Sequence, residues 1–204
     1  SLKSDIDQNK VISLGCDIGL VTGWQRIIPQ KILYSFKIGI FGWHGSFLKF
    51  PNGRGRSPLN WRIRVGADRI YHNLFKYDHN ADTGPVFETK KFPINKEDYI
   101  EDIQMKALEH IKTSSIKLIK AATSNNLLLQ NQPQGVSISL PKISPCDGEL
   151  QPKFQTADQA LNLIRSTSKP FPGAFIRENK YKIIIWRAST IKLKGKNILC
   201  INFT

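Results

Sequence analysis

The 204-residue chain is long enough for one medium-sized domain and a small additional region. Its 30 Lys and Arg residues against 16 Asp and Glu give a net charge of +14, which indicates either a polyanionic partner or a Lys-rich solvated surface. No apolar run is long enough to span a bilayer, and three widely separated cysteines argue against both a disulfide framework and a thiolate metal site. We therefore expect a cytoplasmic protein that holds no metal and does not associate with a membrane.

The N-terminal half of the chain predicts strands that alternate with helices. The apolar run 38–41 is typical of a buried strand, and Ser57 followed by Pro58 is typical of a helix start. In chain order, the predicted elements are a strand near 18–23, a helix near 28–35, a strand near 38–42, a helix near 58–66 and partner strands at 69–77 and 86–93. This order favours an α/β fold.

The C-terminal half predicts helices followed by a final β region. The predicted elements are a helix at 97–122, a strand at 135–140, a helix at 156–167 capped by Thr156 and a hairpin within 191–204 that turns near Gly195. The loop at 141–152 separates the two parts. We therefore expect a core domain at 1–140, followed at 141–204 by a linker, a helix and a small β-rich region.

Polar residues follow the strand near 38–42 in an order that indicates an active site. His44 comes two residues after Gly42, where that strand is expected to end, and Arg54 and Arg56 lie in a Gly-rich loop, where their planar guanidinium groups can bind carboxylate or phosphate. Asp82 then lies in a turn bounded by Gly84. A single histidine after a strand is more often structural, so the prediction depends on the combination. Sites of open α/β sheets lie beyond the carboxyl ends of the strands, so we expect these side chains to be close together.

The motifs resemble those of formyltransferases that use 10-formyltetrahydrofolate. The similar segments are His44-Gly45-Ser46, Arg54-Gly55-Arg56-Ser57-Pro58-Leu59-Asn60-Trp61, Ala81-Asp82-Thr83-Gly84 and Lys169-Pro170-Phe171-Pro172-Gly173-Ala174-Phe175. The resemblance covers most of residues 12–187. It implies a Rossmann-like core, with a mostly parallel sheet and helices on both faces, followed by a small β-rich region. Because family members have earlier strands and helices, we expect the core to be N-terminally incomplete.

The resemblance also implies residue roles. His44 and Asp82 are expected to be catalytic: His44 stabilises the developing oxyanion or transfers a proton, while Asp82 orients His44 or accepts the amine proton through water. The residues expected to bind 10-formyltetrahydrofolate are Trp24, Ile27, Ile28, Pro29 and Ala81. The residues expected to contact the acceptor are Ser46, Arg54, Arg56 and Asn60.

Two departures from the family pattern concern the active site. Gly42 stands where the family has an Asn whose amide donates to the formyl oxygen, and losing such a donor costs roughly 100- to 1,000-fold in turnover. Either a main-chain N–H near Gly42 or the side chain of Asn52 replaces that donor, or the chain is catalytically weak. The loop before Arg54 is also longer, and Lys49-Phe50 stands where a Leu-Pro corner is expected.

The expected substrate is a small amine, and three interpretations of it remain open. The segment 58–61, Pro-Leu-Asn-Trp, is similar to the enzymes that formylate a nucleotide-linked amino sugar, which is the leading interpretation. The basic charge favours methionyl-tRNA as the acceptor, so tRNA is a second possible partner. The third interpretation is a degenerate formyltransferase fold that binds nucleotide or RNA without catalysis, for which Gly42 is the supporting feature. The sequence does not predict an oligomeric state.

Overall fold

The computed structural model describes residues 2–46 and 49–201. By its internal contacts the chain divides into two compact units, each made of several segments of the chain. The first unit is Ser1–Gly55, Tyr71–Lys91 and Ala107–Ser139, and the second is Arg56–Ile70, Phe92–Lys106 and Leu140–Thr204. The expected domain boundary at residue 140 stays a prediction. None of the helices in the described residues is long and apolar enough to cross a membrane.

The secondary structure alternates between helices and strands before ending in hairpins. The helices are α1 (Asp5–Ile12), α2 (Gln30–Leu33), α3 (Pro58–Arg64), α4 (Ile100–Thr123) and α5 (Ala157–Thr167), with a 3-10 turn at Pro145–Gly148. The strands are β1 (Ile18–Val21), β2 (Gly39–Ser46), β3 (Arg54–Gly55), β4 (Arg69–Lys76), β5 (Val86–Pro93), β6 (Ser139–Leu140), β7 (Ala174–Glu178), β8 (Tyr181–Ile185), β9 (Ala188–Leu193) and β10 (Lys196–Ile201). The predicted α/β class with a C-terminal β-rich region is confirmed.

A four-stranded sheet in the order β1-β2-β4-β5 organises the first unit. Strand β2 pairs in parallel with β1 and antiparallel with β4, so the sheet is mixed and contains more antiparallel pairing than the sequence indicated. In the β2–β4 register, Gly42 lies opposite Phe75 and His44 lies opposite Asn73. Because side chains alternate between faces, these four residues share one face of the sheet.

Apolar clusters cover both faces of this sheet within the first unit. On one face, Phe41 and Leu74 pack with Leu118 of α4, and the Trp43 indole donates a hydrogen bond of 2.9 Å to Ser114 Oγ. On the other face, Ile40 packs with Ile32 and other residues around α2. That second face also carries Gly42 and His44, since they follow Ile40 at intervals of two. The helix α2 therefore covers the start of this face, and the polar residues follow along β2.

Strand β2 is longer than predicted, and this corrects the position of His44. The sequence placed the strand end near residue 42, but β2 continues to Ser46 because Phe41–Ser46 is paired throughout with Tyr71–Lys76 of β4. Gly42 and Gly45 would allow the chain to turn, but their pairing with β4 keeps both residues in an extended conformation. The strand expected at 135–140 is reduced to Ser139–Leu140.

In the second unit, helix α5 and the C-terminal hairpins enclose a separate core. Its buried residues include Tyr99, Leu163, Ile164 and Ile185. Thr156 caps α5 as predicted, since its side chain accepts from the Gln159 N–H in a reciprocal capping box. The predicted last hairpin is β9–β10, which turns at Lys194 and Gly195 with φ angles of 48° and 78°. Two positive φ angles in a two-residue loop are typical of a type I′ turn, for which Gly is well suited. Residues 202–204 of that prediction lie outside the described residues.

Candidate active site

His44 lies near the end of β2, on the sheet face opposite α4, and is 9% exposed. Its Nε2 is 3.1 Å from the carbonyl oxygen of Gly53, so Nε2 carries a hydrogen and donates, because a carbonyl can only accept. The Phe50 ring stacks on the imidazole with a centroid distance of 5.6 Å. The residue found in place of the expected Leu-Pro corner therefore lies directly against the proposed catalytic ring.

Asp82 approaches the other ring nitrogen of His44. Its Oδ2 is 3.7 Å from His44 Nδ1, which is longer than a hydrogen bond but within the distance of an ion pair when the imidazole is protonated. The same oxygen accepts the Gly55 N–H at 3.3 Å. Asp82 has a φ of 59°, a left-handed conformation that Asp tolerates better than most residues. The structure thus brings together the two residues that the sequence predicted to act as a pair, while their catalytic roles stay predictions.

Gln132 connects the Asp82 turn to the arginine loop, and the sequence analysis missed it. Its Nε2 donates to the carbonyl oxygens of Asp82 and Gly84, at 3.0 and 2.7 Å. Its Oε1 accepts from Arg54 Nη2 at 2.6 Å. One amide therefore fixes both segments. A Gln between Asn131 and Pro133 gives only a loop signal, so no sequence pattern pointed to this function.

Ser46 is buried within the sheet. Its hydroxyl accepts from Asn73 Nδ2 at 3.2 Å and donates to the Tyr71 carbonyl at 3.4 Å. Asn73 also donates to the His44 carbonyl at 3.2 Å and accepts from Thr89 Oγ1 at 2.7 Å. Ser46 therefore supports the strand that carries His44, and its predicted contact with the acceptor stays a prediction. Asn73 is a second residue that the sequence analysis did not find.

An open cavity of about 530 Å³ lies beside the Asp82 turn, within the first unit. Its lining includes Arg54, Gln132 and Thr83, together with Asp78 and Asn80. The lining is polar, as suits a hydrophilic ligand. Arg54 is the cation among the lining residues, so it is positioned to attract an anionic group.

A family model described as formyl transferase matches residues 3–119, which is more than half of the chain. The chain belongs to this family. The predicted membership of the formyltransferase superfamily is therefore confirmed, and formyl transfer is the chemistry that this membership supports.

Solved structures of other proteins resemble the chain over 90% or more of its length. Methionyl-tRNA formyltransferase from Clostridium thermocellum is 26% identical with a TM-score of 0.77, covering 99% of this chain and 84% of that one. An N-formyltransferase from Helicobacter canadensis, in complex with folinic acid and dTDP-3-aminofucose, is 19% identical with a TM-score of 0.69, covering 90% and 73%. HypX from Aquifex aeolicus, in complex with tetrahydrofolic acid, is 16% identical with a TM-score of 0.71, covering 93% and 33%. The last two show a shared fold, and the chain spans about one third of HypX.

The residues predicted to bind folate in this member of the family differ in exposure. Ile27 is 69% exposed and Trp24 is 38% exposed, whereas Ile28 is buried in the cluster around α2. Pro29 caps α2, and its carbonyl accepts from the Ile32 N–H. Ala81 is exposed in the Asp82 turn. Ile27 and Trp24 offer apolar surface to a ligand, while Ile28 fixes the segment before α2 by packing in the α2 cluster.

The predicted acceptor residues Arg56 and Asn60 belong to the second unit. Arg56 is exposed at the start of α3. Asn60 is buried, and its Nδ2 donates to the Ser166 carbonyl at 2.8 Å. Trp61 Nε1 donates to the Pro141 carbonyl at 2.8 Å. Two residues of the segment that resembled the sugar-nucleotide enzymes therefore stabilise this unit internally.

The arginines near α3 also have internal partners. Arg62, on α3, is buried, and its guanidinium donates to the Arg69 carbonyl. Arg69 pairs with the carboxylate of Asp68. Arg62 therefore stabilises the second unit internally, whereas Arg69 forms an exposed ion pair with the preceding residue.

Proposed function

We propose that this chain transfers a formyl group from 10-formyltetrahydrofolate to a primary amine. The observation that carries the proposal is the distance of 3.7 Å between His44 Nδ1 and Asp82 Oδ2 in a chain of the formyl transferase family. A carboxylate next to an imidazole is an arrangement suited to proton transfer and to stabilising developing negative charge. The relatives solved with tetrahydrofolic acid or folinic acid support a folate-type donor.

Residues near α2 fit a folate. The flat rings of a pterin require apolar walls, and Trp24 and Ile27 expose apolar surface in the segment that follows β1. Ile28 packs in the α2 cluster and so fixes the backbone of this segment. We infer that Trp24 and Ile27 contact the pterin, that Pro29 and Ala81 border it, and that Ile28 acts through packing. When bound, 10-formyltetrahydrofolate supplies an electrophilic formyl carbon.

The reaction forms one C–N bond to the acceptor amine and breaks one C–N bond to the donor nitrogen. The amine loses a proton and the donor nitrogen gains one, so no oxidant or reductant is needed. His44 stabilises the negative charge that develops on the formyl oxygen or transfers a proton. Asp82 holds the His44 ring in position or accepts the amine proton through water. Positioning of two substrates together can supply roughly 7–11 kcal/mol in favourable cases.

Methionyl-tRNA is the acceptor that the observations favour most. The methionyl-tRNA formyltransferase structure is 26% identical, against 19% for the N-formyltransferase crystallised with a nucleotide sugar. The net charge of +14 also suits a polyanion. This order reverses the order that the sequence indicated, because Asn60 and Trp61 of the sugar-like segment make internal hydrogen bonds.

A nucleotide-linked amino sugar is the second candidate. The cavity beside the Asp82 turn has a volume of about 530 Å³, which is within the range of small-molecule sites. Arg54 in its lining can attract a phosphate. A small acceptor would therefore find both polar contacts and a positive charge within the first unit.

Release of tetrahydrofolate from 10-formyltetrahydrofolate tests the proposal. The assay compares methionyl-tRNA with a panel of amino-sugar nucleotides, using the wild type, His44→Ala and Asp82→Ala. We expect acceptor-dependent release that falls about 100-fold or more in each variant, since general acid–base groups contribute on this scale. His79→Ala is the matched control, because His79 is an exposed histidine in the segment before Asp82.

The outcomes separate the candidate functions. Release that requires one acceptor, is lost in His44→Ala and is kept in His79→Ala supports formyl transfer and identifies the acceptor. Folded wild-type protein that releases no tetrahydrofolate with any acceptor contradicts the proposal and favours a non-catalytic member of the family. Wild-type rates in both His44→Ala and Asp82→Ala would exclude the proposed pair as the catalytic residues.

A further inference from the structure

Gly42 leaves a space that the Tyr77 side chain fills. Gly42 lies on the His44 face of β2, two residues before His44, and Tyr77 follows β4 on the same face. A Cβ atom added at residue 42 would lie 2.1 Å from the Tyr77 hydroxyl oxygen and 2.4 Å from the ring carbon that bears it. No side chain can therefore occupy position 42 while Tyr77 keeps this conformation. The phenol stands where the side chain of residue 42 would project.

The two groups that the sequence suggested as replacements for the missing amide both have partners within the first unit. Tyr77 N donates to the Ile40 carbonyl, which makes Ile40 and Tyr77 a hydrogen-bonded pair of the antiparallel ladder. Such pairs alternate, so Gly42 and Phe75 are the next hydrogen-bonded pair and the Gly42 N–H belongs to the sheet. The side-chain oxygen of Asn52 accepts from the Ile138 N–H at 3.3 Å, which ties this side chain to the residue before β6.

We propose that the Tyr77 hydroxyl is the hydrogen-bond donor to the formyl oxygen in this chain, in place of an amide at residue 42. This inference rests on the proposed formyl transfer. As negative charge develops on the formyl oxygen, the phenol donates a hydrogen bond to it and keeps its proton. No bond to Tyr77 forms or breaks. Tyr77 is thus a catalytic residue that acts by electrostatic stabilisation beside His44.

The surroundings of Tyr77 suit this role. Burial, reinforced by the negative charge of Asp82, raises the pKa of Tyr77 to about 12, so the hydroxyl is protonated at neutral pH and can donate. The ring packs against the α2 cluster and lies 5.2 Å from the Phe75 ring, which fixes its position. Among the described residues, no acceptor forms a hydrogen bond with the Tyr77 hydroxyl, so this donor is available for a substrate oxygen.

Tyr77→Phe tests the inference because it removes the hydroxyl and keeps the ring. Under the conditions where the wild type releases tetrahydrofolate, we expect kcat to fall roughly 100- to 1,000-fold with KM nearly unchanged. Tyr34→Phe is the matched control, since Tyr34 is an exposed tyrosine of the same unit. Thermal unfolding of each variant establishes that it is folded.

A rescue experiment separates donation from packing. Tyr77→Ala opens the space at residue 42, and the double variant Gly42→Asn/Tyr77→Ala restores an amide donor there. We expect the double variant to have at least about tenfold higher kcat than Tyr77→Ala, because one donor replaces another at the same position. Equal turnover in these two variants overturns the claim that the hydroxyl acts from the residue-42 position.

The failure of this inference differs from the failure of the proposed function. An active wild type whose turnover is unchanged in Tyr77→Phe overturns the role of Tyr77 and leaves formyl transfer standing. A wild type that is folded but inactive with every acceptor overturns both. Loss of kcat in Tyr77→Phe, with wild-type turnover in Tyr34→Phe, supports the inference.

Discussion

At the scale of single residues, Gly84 determines whether the Asp82 turn can form. A Cβ atom at residue 84 would lie 1.8 Å from the Lys76 carbonyl oxygen, a backbone atom that cannot move without disturbing β4. Gln132 Nε2 also donates to the Gly84 carbonyl. We predict that Gly84→Ala destabilises the protein by about 2 kcal/mol or more, as overpacking of a fixed site does. Urea unfolding monitored by tryptophan fluorescence measures the change.

Gly15→Ala is the control for this substitution. Gly15 has a φ of 60°, so Ala is strained there, but no atom lies within 4 Å of the added methyl group. Its cost should therefore be that of the backbone conformation alone, roughly 1 kcal/mol. Equal losses in the two variants would contradict the close contact with Lys76. A larger loss in Gly84→Ala, together with reduced formyl transfer, supports a turn that holds Asp82 in place.

The sequence could predict His44 and Asp82, but several residues around them required the structure. Their residue types, order and spacing were informative because together they match the motifs of the formyltransferases, which can be recognised from the sequence. Gln132 was invisible because its importance comes from contacts with segments about 50 residues away. Tyr77 was predicted only as the end of the strand at 69–77, because the space that its side chain fills exists only where Gly42 faces it. The roles of Gln132 and Tyr77 therefore depend on long-range contacts, which the local sequence pattern does not predict.

At the scale of elements, a buried histidine pair joins β4 to α4. His72 Nδ1 and His110 Nδ1 are 2.8 Å apart, so one nitrogen donates a hydrogen bond and the other accepts it. The accepting ring must be neutral, so the two histidines cannot both be protonated. Burial, with a contribution from His110, lowers the pKa of His72 to about 3. Burial, partly offset by Glu88 and reinforced by Lys90 and Lys117, lowers the pKa of His110 to about 4. Both rings are therefore neutral in the folded protein near neutral pH.

This pair predicts a loss of stability in acid. Below the ordinary pKa of 6.5 the unfolded chain binds protons at both histidines, whereas the folded chain does not until the pH approaches 4. The free energy of unfolding should therefore fall as the pH decreases from about 6.5 to about 4, by up to about 1.4 kcal/mol per pH unit for each histidine. Urea midpoints at about pH 7, 5.5 and 4.5 measure this slope.

The double variant His72→Leu/His110→Leu identifies the source of that slope. Replacing both partners of this hydrogen bond by apolar groups removes its donor and its acceptor together, so the variant should fold and its unfolding free energy should depend less on pH. His79→Gln removes an exposed histidine and should leave the slope unchanged. A slope that is identical in the wild type and the double variant would assign the acid sensitivity to other groups.

Element types were easier to predict from the sequence than element bounds. The hydrophobic periodicity of α4 and the alternation of β4 arise from the chain's own residues, so both were found. The end of β2 depends on β4, which pairs with it as far as Ser46 and thereby places His44 inside the strand. Strand β6 is short for the corresponding reason, since a strand extends only where a partner satisfies its backbone.

At the scale of the whole molecule, the charge of +14 is unevenly distributed along the chain. The hairpin region 174–201 contains seven basic residues and one acidic residue. The seven basic side chains are exposed: Arg177, Lys180, Lys182, Arg187, Lys192, Lys194 and Lys196. Exposed cations bind nucleic acid by displacing condensed counterions, which makes affinity dependent on salt. This region is therefore the part of the second unit best suited to contact a polyanionic acceptor.

The last prediction concerns binding of methionyl-tRNA. Replacing Lys192, Lys194 and Lys196 by Gln should weaken binding and flatten the plot of log affinity against log salt by about 2, since each phosphate contact contributes roughly 0.7–0.9 to the slope. The matched control replaces Lys112, Lys120 and Lys153 by Gln. These lysines are exposed and lie outside the hairpins, and their replacement changes the net charge by the same amount. If both triple variants lose the same slope, net charge alone drives binding and the hairpins have no special role. If only the hairpin variant loses it, the β9–β10 turn contacts the tRNA.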